Sequence, residues 1–325
     1  MRDNMKTNKK RTTAKTKLDS VLNHLQDHGF TPELTGETYQ DIINSGLRSK
    51  NLPLAFVATQ LALEQNPITL RGLLYRIVSA GWLPSTDHEH YTRTGRIMTT
   101  LREAGTVPFS WIVDNVRTTE KPSSWSGLND FADTVAQAYR KDFWAQLPDY
   151  VHIICEKDAI AGVLSPVTRK YDVALSPIRG YVSLSFANAI AATWNEIDKP
   201  IFAFYVGDFD PSGFDLERDA KEKLTRYCNH SFEWVRLGVN REDFEEFDLI
   251  SLKPKKTDKR CHKFVEEHGS QCAELDALPA TELRSRIENA ILEHVDMERW
   301  IKLEETERIE KENVATLLTS WKEKS

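Results

Sequence analysis

Three short apolar runs constrain this chain most: VHIIC at 151–155, YDVAL at 171–175 and IFAFYV at 201–206, with helical patterns between them. Runs of this length without polar alternation are what strands covered on both faces look like. The intervening helices are the crossovers that parallel strands require. The C-terminal half is therefore expected to be α/β and Rossmann-like in class, with a mostly parallel sheet.

The N-terminal half reads differently. LPLAFVATQLALEQ, ITLRGLLYRIVSAGW and HEHYTRTGRIMTTLREAG carry helical periodicity, and VPFSWIVDNVR alternates as a β-ribbon would. Three helices and a ribbon predict a winged-helix DNA-binding domain. At 325 residues the chain exceeds the usual size of one domain. Its expected divisions are a basic tail with a helical extension at 1–48, the winged helix at 49–121, a linker with a connecting helix at 122–148, and the sheet domain with C-terminal helices at 149–325. The connecting helix is placed at Asn129–Gln146. A charged helix from Met297 onward offers Trp300, Ile301, Ile309, Leu317 and Trp321 for packing, against the domain or a second subunit.

The formal net charge of −6 argues against a uniformly basic DNA-binding surface, so basic character must be local. Its clearest concentration, Arg2 to Lys17, fits a solvated terminus or a DNA arm. Cys155, Cys228, Cys261 and Cys272 form no CxxC pair, which indicates neither a zinc site nor a disulfide framework. No secretory signal and no membrane-length apolar run is present, so a cytoplasmic protein with no membrane contact is expected. There is no GxxxxGK[ST] loop, and any ATP dependence would have to come from a separate ATPase subunit.

Chemistry concentrates at two strand ends. In IFAFYVGDFDPSG, Asp208 and Asp210 follow an apolar strand, and they would face the same way if the strand continued. Glu156 ends VHIIC and opens the helix of EKDAIAGVL, and parallel neighbouring strands would bring it beside the aspartates. Ligands bind at this carboxyl edge of open α/β sheets. Clustered carboxylates need a cation, and hard oxygen ligands suit Mg²⁺ acting on a phosphodiester.

CEKDAIAGVL and GDFDPSG, in this order, resemble the TOPRIM domain of type II topoisomerases, primases and related nucleases. Arg179-Gly180-Tyr181 between them and AELDAL at 273–278 bring the resemblance closer to topoisomerase VI A subunits and the meiotic double-strand-break transesterase. The stand-alone Mini-A or topoisomerase VIII-like group fits a chain without an ATPase. The resemblance implies Mg²⁺ held by Glu156, Asp208 and Asp210, with Glu156 also catalytic. It implies a tyrosine nucleophile four residues after an arginine, which matches Tyr75 and Arg71 in TLRGLLYRIV. It further implies double-stranded DNA as substrate, a homodimer that shares its sites between chains, and double-strand breaks with protein joined to 5′ ends.

The helical wheel offers an independent expectation. Leu70, Leu73, Leu74 and Ile77 cluster on one side, leaving Tyr75 and Arg71 to point outward. Residues four apart are neighbours, so Arg71 could touch the phosphate that Tyr75 attacks. No general base is evident, and His88, Glu89 and His90 read as solvated helix residues. Two alternatives stay open: a hydrolytic TOPRIM nuclease in which Tyr75 only binds DNA, and a noncatalytic DNA-binding protein of the same fold.

Overall fold

A computed structural model describes residues 16–113, 122–254 and 257–322, without the side chains of 320–322. Most of the basic tail and the end of the expected wing lie outside these residues.

The N-terminal part comprises α1 (residues 16–27), α2 (Gly36–Asn44), α3 (Leu52–Gln65), β1 (Ile68–Thr69), α4 (Leu70–Ser79), α5 (His88–Glu103) and β2 (Ile112–Val113). Helix α3 has almost no polar face because α2, α4 and α5 all pack on it, burying Leu54 through Gln60. Local signals set the helix starts: Thr69 caps α4 by accepting from the Gly72 N–H, and Asp87 caps α5 by accepting from the His90 N–H. The ribbon expectation fails over its described part. Phe109–Trp111 is a 3₁₀ turn, and β2 pairs in parallel with β1, seating Ile112 beside Ile68 in the core.

The connecting helix is shorter than expected. Helix α6 spans Leu128–Ala138, and a separate 3₁₀ turn, Trp144–Gln146, follows it. The break tucks Phe143 and Trp144 against Trp300, their ring centroids 4.6 and 6.4 Å away.

The C-terminal part is built on β3 (Tyr150–Cys155), α7 (Asp158–Lys170), β4 (Ala174–Pro177), α8 (Leu184–Asn195), β5 (Ile201–Val206), α9 (Pro211–Tyr227) and β6 (Glu233–Arg236). All four strands are parallel, in the order β4-β3-β5-β6. Alternation divides the two faces: Ile153, Cys155, Phe204 and Val206 join one core, while Ile154, Ala203 and Tyr205 join another with Trp194 and Leu224. The fold is thus mixed α/β with a parallel sheet, as the apolar runs predict, but the YDVAL run is displaced: Tyr171 closes α7, Asp172 turns the chain, and the strand runs Ala174–Pro177.

Strand β6 was not among the predicted strands because EWVR lies at the sheet edge, half-covered, and carries no apolar run. After it come α10 (Asp243–Glu246), α11 (Cys261–His268), α12 (Ala280–Leu292) and α13 (Met297–Lys322). Helix α13 docks through Trp300 and Leu303, while Ile301, Ile309 and Leu317 are exposed. Among the described residues no helix is long and apolar enough to cross a membrane, and all four cysteines are free.

Candidate functional site

Strand order fixes where a ligand would enter. The chain passes from β3 outward to β4, then crosses back to β5 on the other side of β3. The crevice outside the carboxyl ends of β3 and β5 is therefore the topological switch point of the sheet. Glu156 leaves β3 there, its N–H donating to Val206 O at 3.0 Å, and Asp208 lies just past β5. Both carboxylates are buried, at 9% and 6% exposure.

Strand β5 ends at Val206, so the two aspartates do not share a strand face as expected. Asp210 caps α9, accepting from the Gly213 N–H at 2.7 Å, with Pro211 in the first turn. Gly213 must lack a side chain, because a Cβ there would lie 2.4 Å from the Asp208 carbonyl oxygen. The acid loop and the start of α9 can meet only through glycine.

The three acids have different partners. Glu156 Oε2 accepts from the Asp208 N–H at 3.1 Å. The Asp208 carboxylate takes the Lys157 ammonium on both oxygens, at 2.9 and 2.7 Å, and also accepts the Leu275 N–H at 2.8 Å. Burial pushes Asp208 up to about 7, with the Glu156 charge adding to the rise and Lys157 opposing it. Burial also raises Glu156, and the nearby Asp210 charge contributes. Lys157, drawn up by Asp208 and Asp276, stays an ammonium.

Among the described residues no three His, Cys, Asp or Glu side chains converge on one point. The donors nonetheless suit a hard divalent cation: Glu156 and Asp210 face each other electrostatically, and Asp208 would join them once Lys157 withdrew. A carboxylate raised in the folded state holds its proton more tightly than in the unfolded chain. Its contribution is therefore greatest at low pH and is lost as pH rises from about 4 to about 7. The unfolding free energy of wild type minus that of Asp208→Asn is expected to fall by on the order of 3 kcal/mol across that window. Denaturant melts at both ends of the window measure it, and a flat difference would remove Asp208 as the titrating group.

The segment Ala273–Leu278 joins this crevice to α4. Ala273 pairs with Phe209 in both directions, at 2.8 and 3.0 Å, stitching the segment to the acid loop. Its next residues reach the N-terminal part. Glu274 holds Arg71 through two bonds of 2.5 and 2.9 Å, Asp276 accepts from the Thr69 hydroxyl, and the Ala277 carbonyl accepts from Arg76.

Tyr75 does not point outward. It is fully buried and belongs to the core of the sheet side, while its neighbours Leu73, Leu74 and Ile77 belong to the N-terminal core. Helix α4 is sandwiched, and the face opposite its leucines is covered by the 275–277 turn. The Tyr75 hydroxyl makes no hydrogen bond of good geometry, and the Thr86 side chain lies near enough to interact with it. Burial raises its pKa, followed by the Glu274 charge, while Arg71 and the nearby Thr86 oppose the rise. Glu274→Gln is expected to move the tyrosinate absorbance titration assigned to Tyr75, with Tyr75→Phe as the subtraction, to lower pH. No movement would place Glu274 outside the tyrosine's electrostatic surroundings.

The structure thus brings Glu156, Asp208 and Asp210 to one crevice and links Arg71 and Tyr75 to it through Glu274 and Asp276. Sequence reasoning quoted Lys157 and AELDAL but gave neither a role. It also missed Arg236, whose guanidinium donates to the Gly207 and Asp208 carbonyls at 3.1 and 2.5 Å. The Arg179-Gly180-Tyr181 segment also lies at this edge: Arg179 pairs with Asp158, and Tyr181 accepts from Arg260 at 2.8 Å. No protein-family model matches the chain, and no curated protein matches it either.

Proposed function

We propose that this chain is a Mg²⁺-dependent DNA-cleaving transesterase resembling topoisomerase VI A subunits, with a TOPRIM-like sheet and Tyr75 as nucleophile. One observation carries the reading: a single segment, 273–278, bonds both to the acid loop and to the helix bearing Arg71 and Tyr75.

In this reading Glu156, Asp208 and Asp210 hold the metal, which supplies charge stabilisation to a phosphodiester when bound. Tyr75 Oη attacks phosphorus and the bond to the 3′ oxygen breaks. The phenol loses its proton, the 3′ oxygen gains one, and the 5′ phosphate stays on the protein. Arg71 binds the same phosphate and offsets its developing charge. The buried phenol cannot react where it stands, so α4 must part from the 274–277 turn, exchanging Glu274 for phosphate as the partner of Arg71.

Two such reactions on opposite strands call for a homodimer acting on double-stranded DNA. If one chain's Tyr75 works with the other's acids, a heterodimer of Tyr75→Phe and Asp208→Ala retains one intact site and nicks plasmid. Loss of nicking in a confirmed heterodimer would reject the sharing. The burial of Tyr75 favours a second reading, hydrolysis by metal-activated water. Supercoiled plasmid with Mg²⁺ tests the proposal: cleavage by wild type and none by Asp208→Ala are expected, and equal cleavage by both would overturn it.

A further inference from the structure

The acidic crevice has a counterpart of opposite charge. A groove of about 700 Å³ lies between the 46–51 loop and the first half of α5, and Arg48, Lys50, Arg93 and Arg96 line it with Glu89 as its one carboxylate. The formal balance there is about +3 in a chain whose net charge is −6. Three cations of α13 are instead neutralised within their own helix: Lys302 pairs with Glu298, Arg308 with Glu305 and Glu312, and Lys311 with Glu307. Among the described residues none of the four groove cations has a carboxylate within ion-pair distance.

Arg93 is held in place by Asn51 Oδ1 at 3.2 Å and the Lys50 carbonyl at 3.4 Å, which ties the loop to the helix. Arg48, Lys50 and Arg96 stay exposed. His88, Thr92 and Arg96 follow one another at i, i+4 and i+8 along one face of α5. That face spans about 12 Å of helix, the axial rise of about three successive phosphates of one strand.

We infer that this groove, built jointly by the N-terminal extension and α5, binds the phosphate backbone of duplex DNA outside the cleavage crevice. A small anion would be served by a closed pocket with buried donors. An open row of exposed, unpaired cations suits a repeating polyanion. The inference rests on the reading of the chain as a protein that acts on DNA.

The test is binding of the full chain to a short labelled duplex, with chelator to prevent cleavage, across a series of salt concentrations. Arg48→Gln/Lys50→Gln/Arg96→Gln removes three exposed charges. It is expected to lower the slope of log affinity against log salt by roughly 2.7, at roughly 0.9 for each lost phosphate contact. The control Lys302→Gln/Arg308→Gln/Lys311→Gln makes the same charge change on α13 and should leave the slope unchanged. Equal slopes for wild type and the groove variant, or equal losses in both variants, would overturn the inference. Tighter binding of wild type to single-stranded RNA or to anionic phospholipid vesicles than to duplex would overturn the choice of DNA. A slope lowered in the groove variant, together with a wild type that shows no Mg²⁺-dependent cleavage, leaves the groove standing and removes the cleavage reading. Cleavage with an unmoved slope does the reverse, and absence of duplex binding removes both.

Discussion

Replacing Tyr75 with phenylalanine is expected to abolish covalent joining to DNA while making the protein more stable. Most substitutions of a fully buried side chain destabilise, because they open a cavity or strand a polar group. This one removes only an oxygen, which is buried and meets no partner of good hydrogen-bond geometry, with Thr86 nearby. A poorly satisfied buried hydroxyl recovers only part of the roughly 1–3 kcal/mol it costs to bury, so Tyr75→Phe should gain about 1 kcal/mol of unfolding free energy in denaturant melts. The ring itself remains to fill the core. Duplex binding should change little, since the hydroxyl is inaccessible in this conformation. A buried tyrosine kept for packing alone would show the gain in stability and no loss of chemistry. The paired result, more stable and unable to join DNA, identifies a hydroxyl retained for reaction.

The second large effect concerns Lys157. Its ammonium spans both oxygens of Asp208 and approaches Asp276 at 3.6 Å, so it offsets the Asp208 charge within the acidic crevice. Lys157→Ala leaves Asp208 buried beside Glu156 with no cation. Removing one partner of a buried ion pair costs about 3–5 kcal/mol. The 31% exposure of the Lys157 side chain, and protonation of Asp208 once the lysine is gone, bring the cost below that range, to about 1 kcal/mol at neutral pH. Asp208 cannot accept a divalent cation until the ammonium leaves. Mg²⁺ should therefore raise the melting temperature of Lys157→Ala by more than it raises that of wild type. Equal shifts would mean that lysine and metal do not compete for Asp208.

The parts of this molecule that were legible in its sequence are those whose cause is local. Strands β3 and β5 are covered on both faces, so each is a continuous apolar run that needs no partner to be recognised. The acids stand out because polar residues follow such a run abruptly. Helices α4 and α5 carry their own caps and periodicity, and α3 is legible as a long apolar run opened by Pro53. What could not be read depends on residues far away in the chain. A helical wheel for α4 shows one apolar face and leaves Tyr75 on the other. The residues that cover that other face, among them Leu275 and Ala277, come some two hundred positions later. Lys157 follows Glu156 directly, yet its role depends on Asp208 and Asp276. Glu274 and Asp276 lie in a segment whose partners, Arg71 and Thr69, are some two hundred positions earlier in the chain. The expected shared face for Asp208 and Asp210 failed for the opposite reason: Asp210-Pro211 is a local helix start, and it overrode continuation of the strand.

The conformational requirement follows from the same contacts. The bonds from Glu274, Asp276 and Ala277 to α4 hold the tyrosine helix against the acid crevice, and the proposed chemistry requires those bonds to open. Under the proposed chemistry, Glu274 takes the place of the phosphate on Arg71, and Lys157 the place of the cation on Asp208.

The most direct measurement is to identify the atom that DNA is joined to. Wild-type protein is incubated with duplex and Mg²⁺, denatured, trimmed with nuclease and protease, and its peptides are weighed by mass spectrometry. The account predicts a nucleotide adduct on the peptide containing Tyr75, joined through phosphate and absent from Asp208→Ala. Cleaved DNA with no adduct on any peptide, or an adduct on a different tyrosine, would contradict it.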